Sequence, residues 1–301
     1  MAQWSFAIIS DIHVFTSGAV PKNFPLVVQG LVEEAPRFVV VSGDATVGNP
    51  HDGVSASKAR GWWQKFHDAL KPLREAGIPV LAIAGNHDYY TTVHQAEYRA
   101  AWPALADDFA QVAPLGEEGD APLYYSVDID DVHLSLIHVV RQQLEPEVEE
   151  WLRNDLAAAS GAGLRLAIGH IPLVSMMGES SEPFKNALGA ILAEGQVAAY
   201  FSGHEHLVWD QELEVPGGTV RQVHVGTASG TYHYPLSKSV YAAHCHKDQG
   251  TLPATGVSFG LVPGTRQQRD KVNVCLVDIY DTDFEVRHLT LRDGKLQAFG
   301  V

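Results

Sequence analysis

The chain has 301 residues, 46% of them hydrophobic and 19% charged, which is enough apolar material for a large core and too little polar excess for disorder. Lys and Arg number 21 against 36 Asp and Glu, a formal charge of −15; long-range attraction to phosphate backbones or anionic lipid is thereby excluded, and neither nucleic acid nor a membrane surface is an expected partner. Two cysteines, Cys245 and Cys275, are too few for a disulfide framework or a zinc ribbon, so the 15 histidines are the outlier.

The apolar run Trp4 to Ser10 has no basic segment before it and stops at Asp11, so it reads as a buried strand and not as an export signal. A helix follows over 23–34, a strand over 38–42 ending in Gly43-Asp44, a helix over 56–76 and a strand over 78–84 ending in Gly85-Asn86-His87-Asp88. Next come a helix over 92–101 and strands over 123–129 and 132–139. A helix over 147–159 is announced by Pro146 and an acidic first turn. Strand 164–168 runs into Gly169-His170, a helix covers 184–194, and strand 197–202 runs into Gly203-His204-Glu205-His206. Strands over 220–226, 272–280 and 284–291 close the pattern. Several later strands alternate in polarity, as half-exposed antiparallel strands do. Long connections are expected near 45–60, 103–121, 173–183 and 227–270, and loops of that length often line a site. The order predicts an α/β fold of two mixed β-sheets packed as a sandwich with flanking helices, in one domain spanning residues 1–301. No apolar stretch reaches the ~18 residues of a membrane span, so the expected address is cytoplasmic.

Five of the predicted strands end in polar motifs at their C-terminal ends, the edge where α/β sheets bind ligands. The residues there are Asp11, His13, Asp44, Asn86, His87, His170, His204 and His206. These oxygen and imidazole donors, with no cysteine, suit manganese, iron or zinc. They are too many for one catalytic zinc, which usually takes three protein ligands, and they suit two ions sharing a bridge. In Asp11-Ile12-His13 the two donors are expected to leave the same side of an extended segment. Gly43 allows a sharp turn ahead of Asp44.

The blocks Asp11-Ile12-His13, Gly43-Asp44, Gly85-Asn86-His87-Asp88, Gly169-His170 and Gly203-His204-Glu205-His206 resemble, in order, the motifs of the calcineurin-like metallophosphoesterase superfamily. The resemblance covers residues 11 to 206 and implies a sandwich of two mixed sheets. It also implies that Asp11, His13 and His206 hold one metal, that Asn86, His170 and His204 hold a second, and that Asp44 bridges them. His87 would lie beside the scissile phosphate as proton donor or charge stabiliser. The implied activity is hydrolysis of a small-molecule phosphomonoester or phosphodiester by direct in-line attack of a metal-bridging hydroxide. Two divalent ions less two carboxylates and one hydroxide leave a net positive pocket on an acidic protein. Oligomeric state stays open. His13 and Val47 depart from purple acid phosphatases, which use glycine and tyrosine there; Gly43 to Asn49 lacks the phosphate-clamping arginine of the serine/threonine protein phosphatases. The pattern is similar to small bacterial-type phosphodiesterases and phosphatases. The rival reading is a metal-binding scaffold that keeps the fold without catalysis.

The segment 225–235, rich in glycine and hydroxyls, ends in Tyr232, His233 and Tyr234, and Tyr232 and His233 are candidate substrate contacts. His133 and His138 read as core or sheet-face residues, His244-Cys245-His246 as a solvated loop, and Trp62 and Trp63 as core.

Overall fold

A computed structural model describes residues 2–102, 119–175, 180–230 and 272–298. The apolar runs form strands because only a sheet interior can bury both of their faces. These strands are β1 (Trp4–Ile9), β2 (Val39–Ser42), β3 (Val80–Ile83), β4 (Tyr125–Ile129), β5 (Val132–Leu136), β6 (Leu164–Ile168) and β7 (Ala199–Ser202). β8 (Val208–Val215), β9 (Gly218–Val225), β10 (Asn273–Tyr280), β11 (Asp283–Arg292) and β12 (Lys295–Ala298) complete two six-stranded mixed sheets. One runs β12-β11-β10-β1-β2-β3, with β1, β2 and β3 parallel; the other runs β4-β5-β6-β7-β9-β8, parallel from β5 to β9.

The expected α/β sandwich with flanking helices is what the chain builds. Leu134, Leu136, Leu166, Ile168, Phe201 and Val223 point inward and join β1–β3 and β10 in one buried cluster. Against the first sheet lie α1 (Phe24–Glu34) and α2 (Ala56–Glu75), where Phe24 stacks on Phe66 at 5.9 Å and Trp62 and Trp63 are core, as expected. Residues of opposite parity, such as Ala167 and Tyr200, face α5 (Pro146–Ala158) and α6 (Glu182–Glu194) in a second cluster. Each large side chain buried this way contributes roughly 1.5–3 kcal/mol. Helix starts follow the sequence signals: Pro146 opens α5 ahead of Glu147 and Glu149, and Ser55 and Ser181 cap α2 and α6 by accepting from Lys58 and Phe184 N–H groups at 3.3 Å each.

Three elements escape the periodicity reading. β8 interrupts its apolar residues with the polar Asp210, Gln211, Glu212 and Glu214, β12 is mostly exposed, and each is fixed by a hairpin to its neighbour. The Asp293-Gly294 pair that turns β11 into β12, with both residues at positive φ, was the available signal. The third is α3 (Asn86–Tyr89), one turn formed by the Gly85-Asn86-His87-Asp88 motif itself, ahead of α4 (Thr92–Ala101). No helix among the described residues is long and apolar enough to cross a membrane.

Candidate metal centre

The polar ends of β1, β2, β3, β6 and β7 meet across the mouth of the sandwich. Ser42 Oγ donates to Gly169 O at 2.6 Å, and Ala228 N–H to Ser10 O at 2.9 Å, stitching the two sheets together. Beyond β1 and β2 the chains stay paired: Asp11, His13 and Val14 N–H donate to the carbonyls of Gly43, Asp44 and Ala45 at 3.1, 3.0 and 2.9 Å. The Asp11–His13 segment is not extended, which corrects the sequence expectation. Asp11 and His13 have φ of 55° and 56°, and Asp44, His204 and His206 are also left-handed, at 53°, 70° and 56°. Left-handed non-glycine residues cost of order 1–3 kcal/mol each and concentrate where function demands a side-chain direction. Gly43 (φ +91°) approaches so closely that a Cβ there would lie 2.6 Å from Gly85 N and His170 Nδ1.

Seven of the predicted donors converge in two groups that share Asp44. In the first, His206 Nε2 lies 3.1 Å from Asp11 Oδ1 and 3.2 Å from His13 Nε2, and His13 Nε2 lies 3.8 Å from Asp11 Oδ1 and 3.9 Å from Asp44 Oδ2. In the second, His170 Nε2 lies 3.2 Å from Asp44 Oδ2 and 3.1 Å from Asn86 Oδ1, which is 2.9 Å from His204 Nδ1. The atoms of Asp11, His13, Asp44 and His206, and those of Asp44, His170 and His204, each fall within a 4.8 Å span. All are buried except His204, which is partly buried.

The donor set fits divalent metal ions. Asp11 Oδ1 and Asp44 Oδ2 are buried and accept no hydrogen bond, although imidazoles stand close by. Their other oxygens are satisfied: His204 N–H donates to Asp11 Oδ2 at 3.0 Å and His87 N–H to Asp44 Oδ1 at 2.8 Å. Backbone donors thus aim one lone-pair face of each carboxylate into the cluster, where a buried acceptor needs a cation or donor. Nδ1–H of His170 donates to Ser42 O at 2.7 Å, so Nε2 is the nitrogen that faces the cluster; it would offer a lone pair to a cation that displaced its proton.

The protonation pattern shows how strongly the site demands positive charge. Burial alone would raise Asp44, but His170, His87 and His13 outweigh it and hold its carboxyl well below the ordinary range. Burial also opposes the charge on His170, yet Asp44 and Asp11 lift it to about 9. His13, dominated by burial, is pushed down to about 4.

His87 stands beside the cluster. Its ring meets His13 edge-on at 5.0 Å, and its Nδ1 is 2.6 Å from Gly48 O, leaving Nε2 as the remaining polar atom. Tyr232 and His233, and His244-Cys245-His246, lie outside the described residues. His133 is in β5 and hydrogen-bonded to Asp128 and Asp155; His138 lies just past it against Tyr89, and both are buried.

Sequence reasoning missed the supporting residues. Asp88 accepts from Ala45 N–H (3.1 Å), Thr46 N–H (2.9 Å), Thr46 Oγ1 (2.9 Å) and Gly85 N–H (3.2 Å), so it locks the Asp44 loop to the Asn86 turn. Burial and the Asp44 charge push its carboxyl up to about 6. Thr227 Oγ1 donates to Asp11 O at 2.8 Å, an expression of the hydroxyl-rich 225–235 segment. Glu205, between two of the convergent histidines, turns away toward Ser175 and toward His224, 3.4 Å off.

No curated protein matches the chain at a significant level. Among solved structures it is similar to the purple acid phosphatase PPD1 of yellow lupin (Lupinus luteus), at TM-score 0.61 and 13% identity over 98% of this chain and 53% of that one. It is also similar to GAP50, the anchor in the inner membrane complex of Plasmodium (TM-score 0.61, 14% identity, 100% and 90% covered). A third likeness is a dimetal phosphatase of Danio rerio (TM-score 0.54, 12% identity, 100% and 97% covered). The chain spans about half the length of the lupin enzyme, and at these identities the likenesses show the fold. A profile described as calcineurin-like phosphoesterase matches residues 5–208, which takes in every motif block named above; the chain belongs to that family.

Proposed function

We propose that the protein is a binuclear metal-dependent hydrolase of phosphate esters. Asp11, His13 and His206 would hold one divalent ion and Asn86, His170 and His204 the other, with Asp44 common to both donor groups. The observation that carries this reading is the pair of buried carboxylate oxygens, Asp11 Oδ1 and Asp44 Oδ2, turned into two donor groups that share Asp44. Manganese, iron and zinc all suit these ligands. When bound, such ions supply Lewis-acid charge and lower the pKa of water from 15.7 toward about 7, as zinc does.

The chain's own residues position and shield. Backbone N–H groups of His204 and His87 orient the two carboxylates. Gly48 O holds His87 Nδ1, so that Nε2 faces a phosphoryl or leaving-group oxygen and delivers a proton or positive charge there. No residue of the chain needs to form a phospho-enzyme, since bound ions would supply hydroxide as the nucleophile. The whole chain, 1–301, acts as one domain on a small-molecule phosphoester in the cytoplasm.

GAP50, described as an anchor, shares the fold, so a non-catalytic scaffold is the second reading; the complete donor set favours hydrolysis. The test is hydrolysis of p-nitrophenyl phosphate and bis-p-nitrophenyl phosphate by protein stripped with chelator and reloaded with manganese. Turnover of at least one substrate, lost on stripping and restored on reloading, is expected, and the ratio of the two gives monoester or diester preference. Two bound metals with hydrolysis of neither would establish the scaffold.

A further inference from the structure

A cation without a carboxylate stands at the rim of the candidate centre. Past the end of β5 the chain continues beside the strand that delivers His170: Ile137 N–H donates to Ile168 O at 2.8 Å, and Ile171 N–H donates to Val139 O at 3.3 Å. On the other side of this segment, the His138 ring packs against Tyr89 with centroids 4.6 Å apart. Tyr89 ends α3, the turn that Asn86 begins. Val140 packs onto the main core. The next residue, Arg141, therefore leaves the protein between the His170 segment and α3, on the Asn86 side of the centre. Tyr90 is adjacent there, and its hydroxyl accepts from Asn86 Nδ2 at 2.5 Å.

The surroundings of Arg141 differ from those of the other arginines. Arg37, Arg60, Arg99, Arg153, Arg221 and Arg287 each meet a carboxylate, Arg74 reaches the His67 ring and Arg165 reaches Gln196 Oε1. Arg141 is exposed and has no hydrogen-bond or ion-pair partner among the described residues. On a chain of charge −15, a guanidinium left without a partner on the side of the centre where Asn86 lies is a placement that suits an anion. Tyr90 lies within electrostatic reach of the shared carboxylate of Asp44 on one side and of the Arg141 guanidinium on the other.

We infer that Arg141 is a substrate-binding residue that, together with Tyr90, receives a phosphoryl oxygen and selects dianionic phosphomonoesters. This rests on the binuclear reading above. Two divalent ions less two carboxylates and one hydroxide leave one positive charge; Arg141 adds a second. A phosphomonoester dianion matches that pair, and a diester monoanion leaves one charge over. The planar guanidinium offers parallel N–H donors to two oxygens of one phosphate; a monoester can give it two terminal oxygens and keep a third for the donor groups of the centre, whereas a diester has only two in all. Arg141 therefore supplies in this chain the clamp that the Gly43–Asn49 run lacks.

The test compares wild type, Arg141→Gln and Arg141→Lys, each loaded with manganese. In Arg141→Gln the KM for p-nitrophenyl phosphate and the inhibition constant of inorganic phosphate rise roughly tenfold or more, the scale of one charge-assisted contact. KM for bis-p-nitrophenyl phosphate changes by less than about threefold, and metal content stays at the wild-type level. Arg141→Lys recovers part of the loss, since a point charge lacks the fork. A KM and phosphate inhibition constant within about twofold of wild type overturn the assignment, and an equal loss on both substrates overturns the monoester preference. If the wild type hydrolyses neither substrate, the hydrolase reading fails separately, and calorimetry with inorganic phosphate on the manganese-loaded proteins decides the role of Arg141. Weaker binding in Arg141→Gln upholds it; equal binding, or none to wild type, ends it.

Discussion

Removing the Asp155 carboxylate tests how the second sheet holds its covering helix, independently of the metal centre. Asp155 lies in α5 and reaches the outward face of β4 and β5. It accepts from Ser126 Oγ at 2.5 Å, Ser135 Oγ at 2.7 Å and His133 Nε2 at 2.9 Å. His133 Nδ1 meets Asp128 Oδ1 at 2.7 Å. Hydrogen bonds to a charged group contribute about 1.5–3 kcal/mol each, but they are not additive, and the two hydroxyls can turn to other acceptors. The imidazole is left with the neutral Ser135 hydroxyl, 3.2 Å from its Nε2, and the exposed Asp128 carboxylate. Breaking a buried pair by deleting one partner typically costs 3–5 kcal/mol, so about that much is expected for Asp155→Ala and roughly half for Asp155→Asn, which keeps one acceptor oxygen. The Asp128 contact adds little, since its side chain is 65% exposed.

The pH dependence has a defined sign. Burial disfavours the His133 imidazolium, yet Asp155 and Asp128 outweigh it and hold the group above the ordinary imidazole value. The folded state then binds this proton more tightly than the unfolded chain does. The stabilisation is complete below about pH 6.5 and disappears as pH rises through the folded value. Urea unfolding of wild type, Asp155→Ala and Asp155→Asn in the same metal-loaded state, at pH 6 and again at pH 9, checks this. The midpoint gap is expected to be larger at pH 6, with kcat/KM for any turned-over phosphoester unchanged within about twofold. A gap below about 1 kcal/mol, or one that widens with pH, would refute the reasoning.

Two further outcomes concern the centre itself. Asp44→Asn removes the carboxylate common to both donor groups, so metal analysis should find fewer than two ions per chain and turnover should vanish while circular dichroism stays native; full activity would count decisively against the site. His87→Ala should keep both metals and lower kcat by roughly 10²–10⁴, the range of general acid–base catalysis; loss of the metals with the ring would show that His87 holds them.

Much of the site was legible because each donor motif follows a strand that must end where its apolar residues end. Asp11, Asp44, Asn86, His170, His204 and His206 were therefore assignable to the C-terminal ends of buried strands before any tertiary contact was known, although those strands belong to two sheets. The reasoning for Asp11 and His13 was nonetheless wrong in mechanism: the two side chains meet through left-handed backbone at φ 55° and 56°, not through extended alternation. Asp88 was not legible as the link between the Asp44 and Asn86 loops, because three of its four donors come from residues 42 and 43 positions upstream and the fourth from Gly85, three positions before it. Strands β8 and β12 were hidden for a different reason: both are edge strands whose charged and amide residues break up the apolar run.

The division follows from how the two kinds of information are encoded. Hydrophobic runs and the residues that stop them are properties of short segments, so strand order, the helices between, the donor inventory and the acidic surface could all be read along the chain. Which carboxylate oxygen is left without a donor, which imidazole nitrogen a carbonyl takes, and which arginine finds no partner among the described residues depend on groups brought together from distant segments. Those choices belong to the packed sandwich, because a hydrogen bond is made or lost over tenths of an ångström and no local pattern fixes distances between strands β1, β2, β3, β6 and β7.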